Sequence, residues 1–428
     1  MTTTINNEHK ELNFSSEREQ SQACLNSAER EKNQGRKVLN VPNLRFKEFQ
    51  GEWEKTKIGD IAIVVGGGTP DTNTSQYWNG KIQWFTPSEI GRNKYVYNSV
   101  RTISEEGLNK SSAKLLPIGT ILLSSRATVG ECSINKKECT TNQGFQSLIP
   151  KENISNEFVY YLIQTKRKDL IRKSCGSTFL EISANEVRKI VVSIPTIKEQ
   201  DKIAKLLSLL DERIATQNKI IDKLQSLIKG INQRVFMNNG INYKLGEVCE
   251  IRSGYSGNQL LSKKGLKVSR IETISGHKVN LERVGYVAPF ESSENYKLQV
   301  GDILFSNINS VEYIGNTAFI DKDYDLYHGM NLLRLTPNNM VVIPFYLYLL
   351  LNTNRMLNRF KTVCNKAVSQ ASINQTELGK TVVQIPDINA QKQICELYQA
   401  LYDKLESEKY ANSLFQKQKQ YLLRQMFI

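Results

Sequence analysis

The chain has 428 residues, enough for roughly two to four domains, and its 39% hydrophobic and 23% charged content suits a protein that buries cores. Lysine and arginine outnumber aspartate and glutamate by 57 to 43, a formal charge of +14 that attracts polyanions at long range, although a basic surface alone does not demand one. Seven cysteines with no Cys-x-x-Cys pair exclude an encoded zinc site or disulfide framework, and the longest apolar run, 341–351, is too short for a bilayer, so reduced thiols, a cytoplasmic location and no membrane partner are expected.

In chain order, residues 1–40 are polar, lack periodicity and contain nothing fit for a signal peptide, and a mobile tail is expected there. From 41 to 195, short β-branched runs alternate with turn signals, at 58–65, 81–85, 120–123 and 190–192, and a helix is predicted over 156–172. This describes a strand-rich globule of the α+β or α/β class. Residues 196–236 then carry Ile203, Leu207, Leu210, Ile214, Gln217, Ile221, Leu224, Ile228, Ile231 and Val235 at alternating spacings of four and three, a coiled-coil seam that needs a partner helix. A second globule, 241–386, repeats the first with its helix over 344–360. A second rod, 387–427, places Ile394, Tyr398, Leu401, Leu405, Glu408, Asn412, Phe415, Lys419, Leu422 and Met426 at the equivalent positions.

The duplication is visible in ordered echoes. Ile190-Val191-Val192-Ser193-Ile194-Pro195 returns as Thr381-Val382-Val383-Gln384-Ile385-Pro386, and each proline is followed 41 positions later by a closing phenylalanine, Phe236 or Phe427 (236 − 195 and 427 − 386). Lys57-Ile58-Gly59-Asp60 returns as Lys244-Leu245-Gly246-Glu247, and Gly119-Thr120-Ile121-Leu122-Leu123-Ser124 as Gly301-Asp302-Ile303-Leu304-Phe305-Ser306. Equal rods separated by one globule can pair antiparallel within the chain, each about 60 Å long at 1.5 Å per residue. Gln217 and Glu408 fall near the centres of their seams. Either they face each other and fix the register, or the polar positions mark a solvent-facing middle.

Motifs of self-sufficient enzymes are missing. Gly379-Lys380-Thr381 imitates the end of a phosphate-binding loop, but Asn374 stands where its first glycine belongs. Gly66-Gly67-Gly68-Thr69-Pro70 lacks dinucleotide-loop spacing and reads as a turn with positive φ. No Asn/Asp-Pro-Pro-aromatic segment of an adenine methyltransferase occurs, and His9, His277 and His328 make no metal-ligand pattern. The chain is therefore expected to hold no metal or cofactor and to catalyse nothing by itself.

Each rod opens with Ile-Pro-x-x-x-x-Gln-x-x-Ile, at Ile194, Pro195, Gln200 and Ile203 and again at Ile385, Pro386, Gln391 and Ile394. With Pro117-Ile118-Gly119-Thr120-Ile121-Leu122-Leu123-Ser124-Ser125-Arg126, Gly130 and Thr141-Asn142-Gln143-Gly144-Phe145-Gln146, this resembles the specificity subunits of type I restriction-modification systems over about 41–428. The resemblance implies two target recognition domains that read the two parts of a split, asymmetric sequence in double-stranded DNA, with an intramolecular antiparallel coiled coil as the ruler between them. It also implies two modification subunits bringing S-adenosylmethionine to methylate adenine, and restriction subunits that use ATP and Mg²⁺. The halves depart from each other where Ser125-Arg126 meets Asn307-Ile308-Asn309 and where Glu199 meets Ala390.

Base edges are distinguished by donor and acceptor pattern, arginine suiting guanine and asparagine or glutamine suiting adenine. Polar residues on expected loops are therefore the candidates: Arg126, Arg92, Asn142 and Gln143 in the first globule, and Arg252, Arg270, Asn307, Asn309 and Gln370 in the second. Lys94, Lys110, Lys114, Lys263, Lys264 and Lys366 are candidates for phosphate. Each has a plainer alternative as a solvated or turn-capping side chain. Tyr77, Trp78 and Trp84 either stack on a base or belong to the core. Two rival functions remain open, a complete restriction–methylation enzyme and a helical adaptor that binds only proteins.

Overall fold

The computed structural model describes residues 39–176, 180–236, 240–366 and 370–428. All but the last two positions of the expected tail lie outside these residues. The chain divides into two units, one ending at Glu212 but including Lys417–Ile428, the other Arg213–Gln416.

The first lobe contains β1 (Glu54–Lys57), β2 (Ala62–Gly66), β3 (Trp78–Phe85), β4 (Tyr95–Val96), β5 (Arg101–Ile103), β6 (Ile121–Leu123), β7 (Cys132–Asn135), β8 (Cys139–Thr141), β9 (Gln146–Pro150), helices α1 (Asn156–Thr165) and α2 (Arg167–Arg172), and β10 (Val191–Ile194). Its main sheet has the order β2-β9-β6-β7-β4, a second sheet the order β5-β3-β8, and β1 closes on β10. Two expected elements differ in detail. The strand expected at 58–65 starts as the helical turn Ile58–Ile61, because the Asp60 carboxylate accepts the Lys57 N–H at 3.2 Å and turns the chain before β2. The helix expected over 156–172 is two helices, broken where the Thr165 hydroxyl donates to the Leu162 carbonyl at 2.7 Å.

A long helix, α3 (Ile197–Val235), leaves this lobe. The second lobe contains β11 (Ile241–Lys244), β12 (Cys249–Ser253), β13 (Leu266–Val268), β14 (Gly285–Val287), β15 (Ile303–Phe305), β16 (Ile308–Asn309), β17 (Thr317–Phe319), β18 (Leu333–Pro337), helices α4 (Pro344–Leu351) and α5 (Asn354–Val363), then β19 (Asn365–Lys366), β20 (Ala371–Ser372), β21 (Val382–Ile385) and α6 (Ile388–Gln425). Its main sheet, β12-β18-β15-β17, repeats β2-β9-β6-β7 strand for strand, and β11-β21 repeats β1-β10. The helix break recurs too, with the Thr353 hydroxyl donating to the Leu350 carbonyl at 2.8 Å.

The repeated motif glutamine has a structural cause. Gln200 and Gln391 are each only 1% exposed. Gln200 accepts the Ser155 N–H at 3.0 Å and donates to the Pro195 carbonyl at 2.9 Å; Gln391 accepts the Ile343 N–H at 2.8 Å and donates to the Pro386 carbonyl at 2.9 Å. In each lobe the glutamine ties the start of the long helix to the start of α1 or α4. Glu199, by contrast, is buried against Arg45 at 2.8 Å and the Trp53 indole at 3.3 Å, a fold-holding role that Ala390 does not share.

The seams pair as their spacing predicts. In the first lobe Ile203 and Leu207 are buried with Leu423, Met426 and Phe427, and Leu210 is half-buried. Asp211 there meets Lys419 at 2.6 Å and the Tyr161 hydroxyl at 2.7 Å. In the second lobe Ile221, Leu224, Ile228 and Ile231 of α3 pack against Ile394, Tyr398, Leu401 and Leu405 of α6. Gln217, 4% exposed, donates to the Glu408 carboxylate and to its carbonyl at 3.1 Å, while Asn412 donates to Asn218 at 2.9 Å. Tyr398 bonds Asn232 farther along, so positions ascend in α3 as they descend in α6 and the pair is antiparallel. The polar positions of the seam therefore face partners rather than solvent. Among the described residues no helix is long and apolar enough to cross a membrane.

Candidate nucleic-acid interface

One loop after the sheet's central strand recurs in both lobes. Ser124 N–H donates to the Glu131 carbonyl and Gly130 N–H returns to Ser124; Ser306 and Gly315 make the matching bonds with Asn316 and Ser306. Gly130 (φ +85°) and Gly315 (φ +83°) close the two turns, and a Cβ there would lie 2.7 Å from Arg167 and 2.5 Å from Phe360. Beside the loop runs a short ladder. The Ser125 carbonyl accepts the Ile182 N–H at 3.0 Å, and the Asn307 carbonyl accepts the Ile373 N–H at 2.9 Å. Arg126 bridges Glu181 in the first lobe, and β16 pairs with β20 and β20 with β19 in the second.

This architecture gathers several candidates in the first lobe. Arg126 projects from the ladder with 44% of its side chain exposed and an ion pair to Glu181 at 2.9 Å, a rim contact that a stronger partner can displace. The adjoining strand end is joined through Ser125 N–H to the Gly144 carbonyl at 2.8 Å. That end carries Asn142, whose side-chain oxygen caps Gly144 N–H at 2.8 Å, and exposed Gln143, which accepts from Thr69. Arg92 is exposed and follows Gly91, held to Ser133 at 3.0 Å. Lys110 and Lys114 are exposed.

Lys94 is a correction. Its side chain is only 7% exposed and its ammonium is bound to Glu157 at 2.9 Å, the Tyr161 hydroxyl at 3.2 Å and Ser208 at 2.9 Å, so it ties its loop to α1 and α3 instead of reaching outward for phosphate. Burial would raise the Glu157 carboxyl, but hydrogen bonds from Lys94 and Tyr95 prevail and hold it below its usual range. Trp78 and Trp84 belong to the core, packed edge to face at 5.0 Å and covered by the Arg101 guanidinium at 3.5 Å from the Trp78 ring. Gly67 and Gly68 are not turn residues of positive φ. They let the backbone pass close to its neighbour, Gly68 N–H donating to the Thr141 carbonyl at 2.8 Å, with a Gly67 Cβ destined to fall 2.0 Å from the Asn142 carbonyl.

In the second lobe Asn307 and Asn309 lie on the ladder, with Gln370 exposed just before β20. Asn309 spends its amide on Ser306 at 3.1 Å and its oxygen on Ser310 N–H at 2.8 Å, whereas the buried side-chain oxygen of Asn307 has no partner among the described residues. Arg252 sits on β12 against Glu250 at 2.6 Å; Arg270 sits before a separate helical turn, 3.7 Å from Glu272. Lys263 and Lys264 are exposed ahead of β13, and the side chain of Lys366 lies outside the described residues. Sequence reasoning passed over Arg334, buried in β18 within Leu332-Leu333-Arg334-Leu335. A charge inside an apolar run was the signal that it offered.

The family model for the type I restriction modification DNA specificity domain matches residues 50–226 and again 240–413. Over 180 residues the chain is 41% identical to the type I restriction enzyme MjaIX specificity subunit of Methanocaldococcus jannaschii, covering 40% of this chain and 42% of that protein. Over 175 residues it is 33% identical to the EcoR124I/EcoR124II specificity subunit of Escherichia coli, covering 39% and 43%. The chain thus spans about two-fifths of the length of these relatives. Among solved structures, the S subunit of a type I restriction-modification system from M. genitalium aligns at a TM-score of 0.55 and 16% identity, covering 91% of this chain and 99% of that one, a likeness of fold.

Proposed function

The chain belongs to the family defined by the type I restriction modification DNA specificity domain, and on that premise we propose that it is the DNA sequence-specificity subunit of a type I restriction-modification complex. Each lobe reads one part of a split, asymmetric target in double-stranded DNA. The helical surfaces hold two modification subunits, which bring S-adenosylmethionine and methylate adenine; restriction subunits using ATP and Mg²⁺ join them in the cytoplasm. This chain contributes recognition and assembly and leaves bond-making to its partners. Neither rival, a self-sufficient enzyme or a protein-only adaptor, has support in the family match.

The observation that carries this reading is a repeated ladder with unrepeated side chains. The same backbone bonds hold Ser125 and Asn307, yet Arg126 stands in one lobe where Ile308 and Asn309 follow in the other. Two copies of one scaffold bearing different donors suit two half-sequences that differ. Methylome sequencing of cells carrying the chain with its modification partner tests it. One asymmetric motif of two specified parts and an unspecified gap is expected, appearing only with the chain. Absence of any chain-dependent motif overturns the reading.

A further inference from the structure

The β12–β18 pairing sets Arg252 directly opposite Arg334, so both side chains leave one face of the sheet. Directly opposed like charges, with Cβ atoms about 5 Å apart, repel unless something negative lies between them. Arg334 is 7% exposed; one guanidinium nitrogen donates to the Lys297 carbonyl at 3.2 Å, but its buried Nε has no partner among the described residues. The nearby carboxylate of Glu250 is engaged with Arg252 at 2.6 Å. Both arginines line a cavity of about 350 Å³, whose wall also presents Ser253, Ser292, Asn295 and His328 and no carboxylate.

A guanidinium withdrawn from water without a countercharge is costly, and its forked donors match the oxygens of a phosphate. The corresponding strands of the first lobe set Val65 opposite Ser147, with Val65 packed on the Phe85, Leu122 and Phe145 cluster. The paired charges are thus particular to the second lobe. We propose that this cavity is a phosphate-binding pocket, with Arg334 at its base, Arg252 at its rim, and the hydroxyl of Ser292 and the amide of Asn295 as further donors. The phosphate comes either from the DNA backbone, which rests on the recognition reading above, or from a free phosphate compound, which does not.

Two arms on the full-length chain distinguish these. In the first, inorganic phosphate is titrated calorimetrically into the wild type, Arg334→Gln and the rim variant Arg252→Gln, whose exposed position spares the fold. In the second, duplex binding is measured against salt, with intact duplexes and duplexes bearing single neutral methylphosphonate linkages. A backbone phosphate predicts that Arg252→Gln weakens all sequences about 10-fold and lowers the slope of log K against log salt by about 1, an effect absent on a duplex neutralised at one linkage. Saturable phosphate binding lost in the variants, with an unchanged DNA slope, assigns the pocket to a free phosphate compound. That result would stand even if the chain bound no DNA. No phosphate binding in the wild type, together with no linkage-specific change in duplex binding for either variant, overturns the proposal.

Discussion

On corresponding strands the first lobe sets Val65 opposite Ser147 and the second sets Arg252 opposite Arg334, whereas Gln200 and Gln391 make the same two backbone bonds in both lobes. The contrast separates two kinds of constraint. A buried amide that loses its partners leaves a donor and an acceptor unsatisfied, at about 1–3 kcal/mol each, so these positions tolerate no drift. The paired strand positions carry a different load: Val65 packs on an apolar cluster in the first lobe, whereas Arg252 and Arg334 line a polar cavity in the second, so one backbone pairing accommodates either set of side chains.

The closing phenylalanines put the largest expected effect on this comparison. Phe427 stacks on Phe158 at 5.2 Å and meets Trp53 edge-on at 6.4 Å, buried in the first lobe; Phe236 is only partly buried against Tyr346 and Tyr398. Phe427→Ala should cost about 3–5 kcal/mol, and Phe236→Ala roughly half of that. Lobe-resolved hydrogen exchange reads each. Equal losses would show that the two ends are packed alike.

Acid should separate the lobes next. Burial pushes His328 down to about 4 from 6.5 and also lowers His277. The unfolded second lobe therefore takes up protons between pH 6.5 and 4 that the folded lobe refuses, and its stability, complete above pH 6.5, falls through that window by up to about 3 kcal/mol. Glu157 acts lower. Because its folded carboxyl is held below 4.5, its contribution to the first lobe is present above pH 4.5 and disappears as pH falls through the lowered value. On acidification the second lobe should lose exchange protection first, and His328→Gln should flatten most of that early loss. Simultaneous softening of both lobes would contradict the assignment.

What could be read before the fold was known follows the range of the forces. The rods are legible because their seam spacing is local, and the Ile-Pro-x-x-x-x-Gln signature because Gln200 bonds a carbonyl only five residues back. Lys94 was misleading because the groups that claim it, Glu157 and Ser208, come from distant helices. Gly67 and Gly68 look like turn residues in the sequence for the same reason, since the groups that crowd them, Thr141 and Asn142 at Gly67 and Ser112 and Ala113 at Gly68, are remote in sequence. The breaks in the two predicted helices escaped notice because a threonine hydroxyl returning to the preceding turn leaves no mark on apolar periodicity.

A smaller, more specific effect is expected at the ladder. Arg126→Ala should cost about 1–3 kcal/mol of binding and relax preference at one base position while leaving the other half-sequence intact. Glu181→Ala, which releases the guanidinium from its 2.9 Å partner, should keep that preference. If the methylated motif and its occupancy are unaltered in Arg126→Ala, the residue is a solvated rim charge.

The smallest energetic effect, and the sharpest test of the rods, belongs to Gln217→Leu. Leucine removes the donor to Glu408 but fills the seam with apolar surface, and Glu408 keeps Lys404 as a partner one turn away. Stability should therefore change by less than about 1 kcal/mol. Alignment is another matter, because leucine packs against several registers and glutamine bonds in only one. Spin labels at Asn218 and Asn412, whose amides lie 2.9 Å apart in the native pairing, should report a single short separation in the parent and a broadened one in Gln217→Leu. If the separation stays single and unshifted, the register is set by the apolar positions alone, and the Gln217–Glu408 contact is a consequence of the alignment rather than its cause.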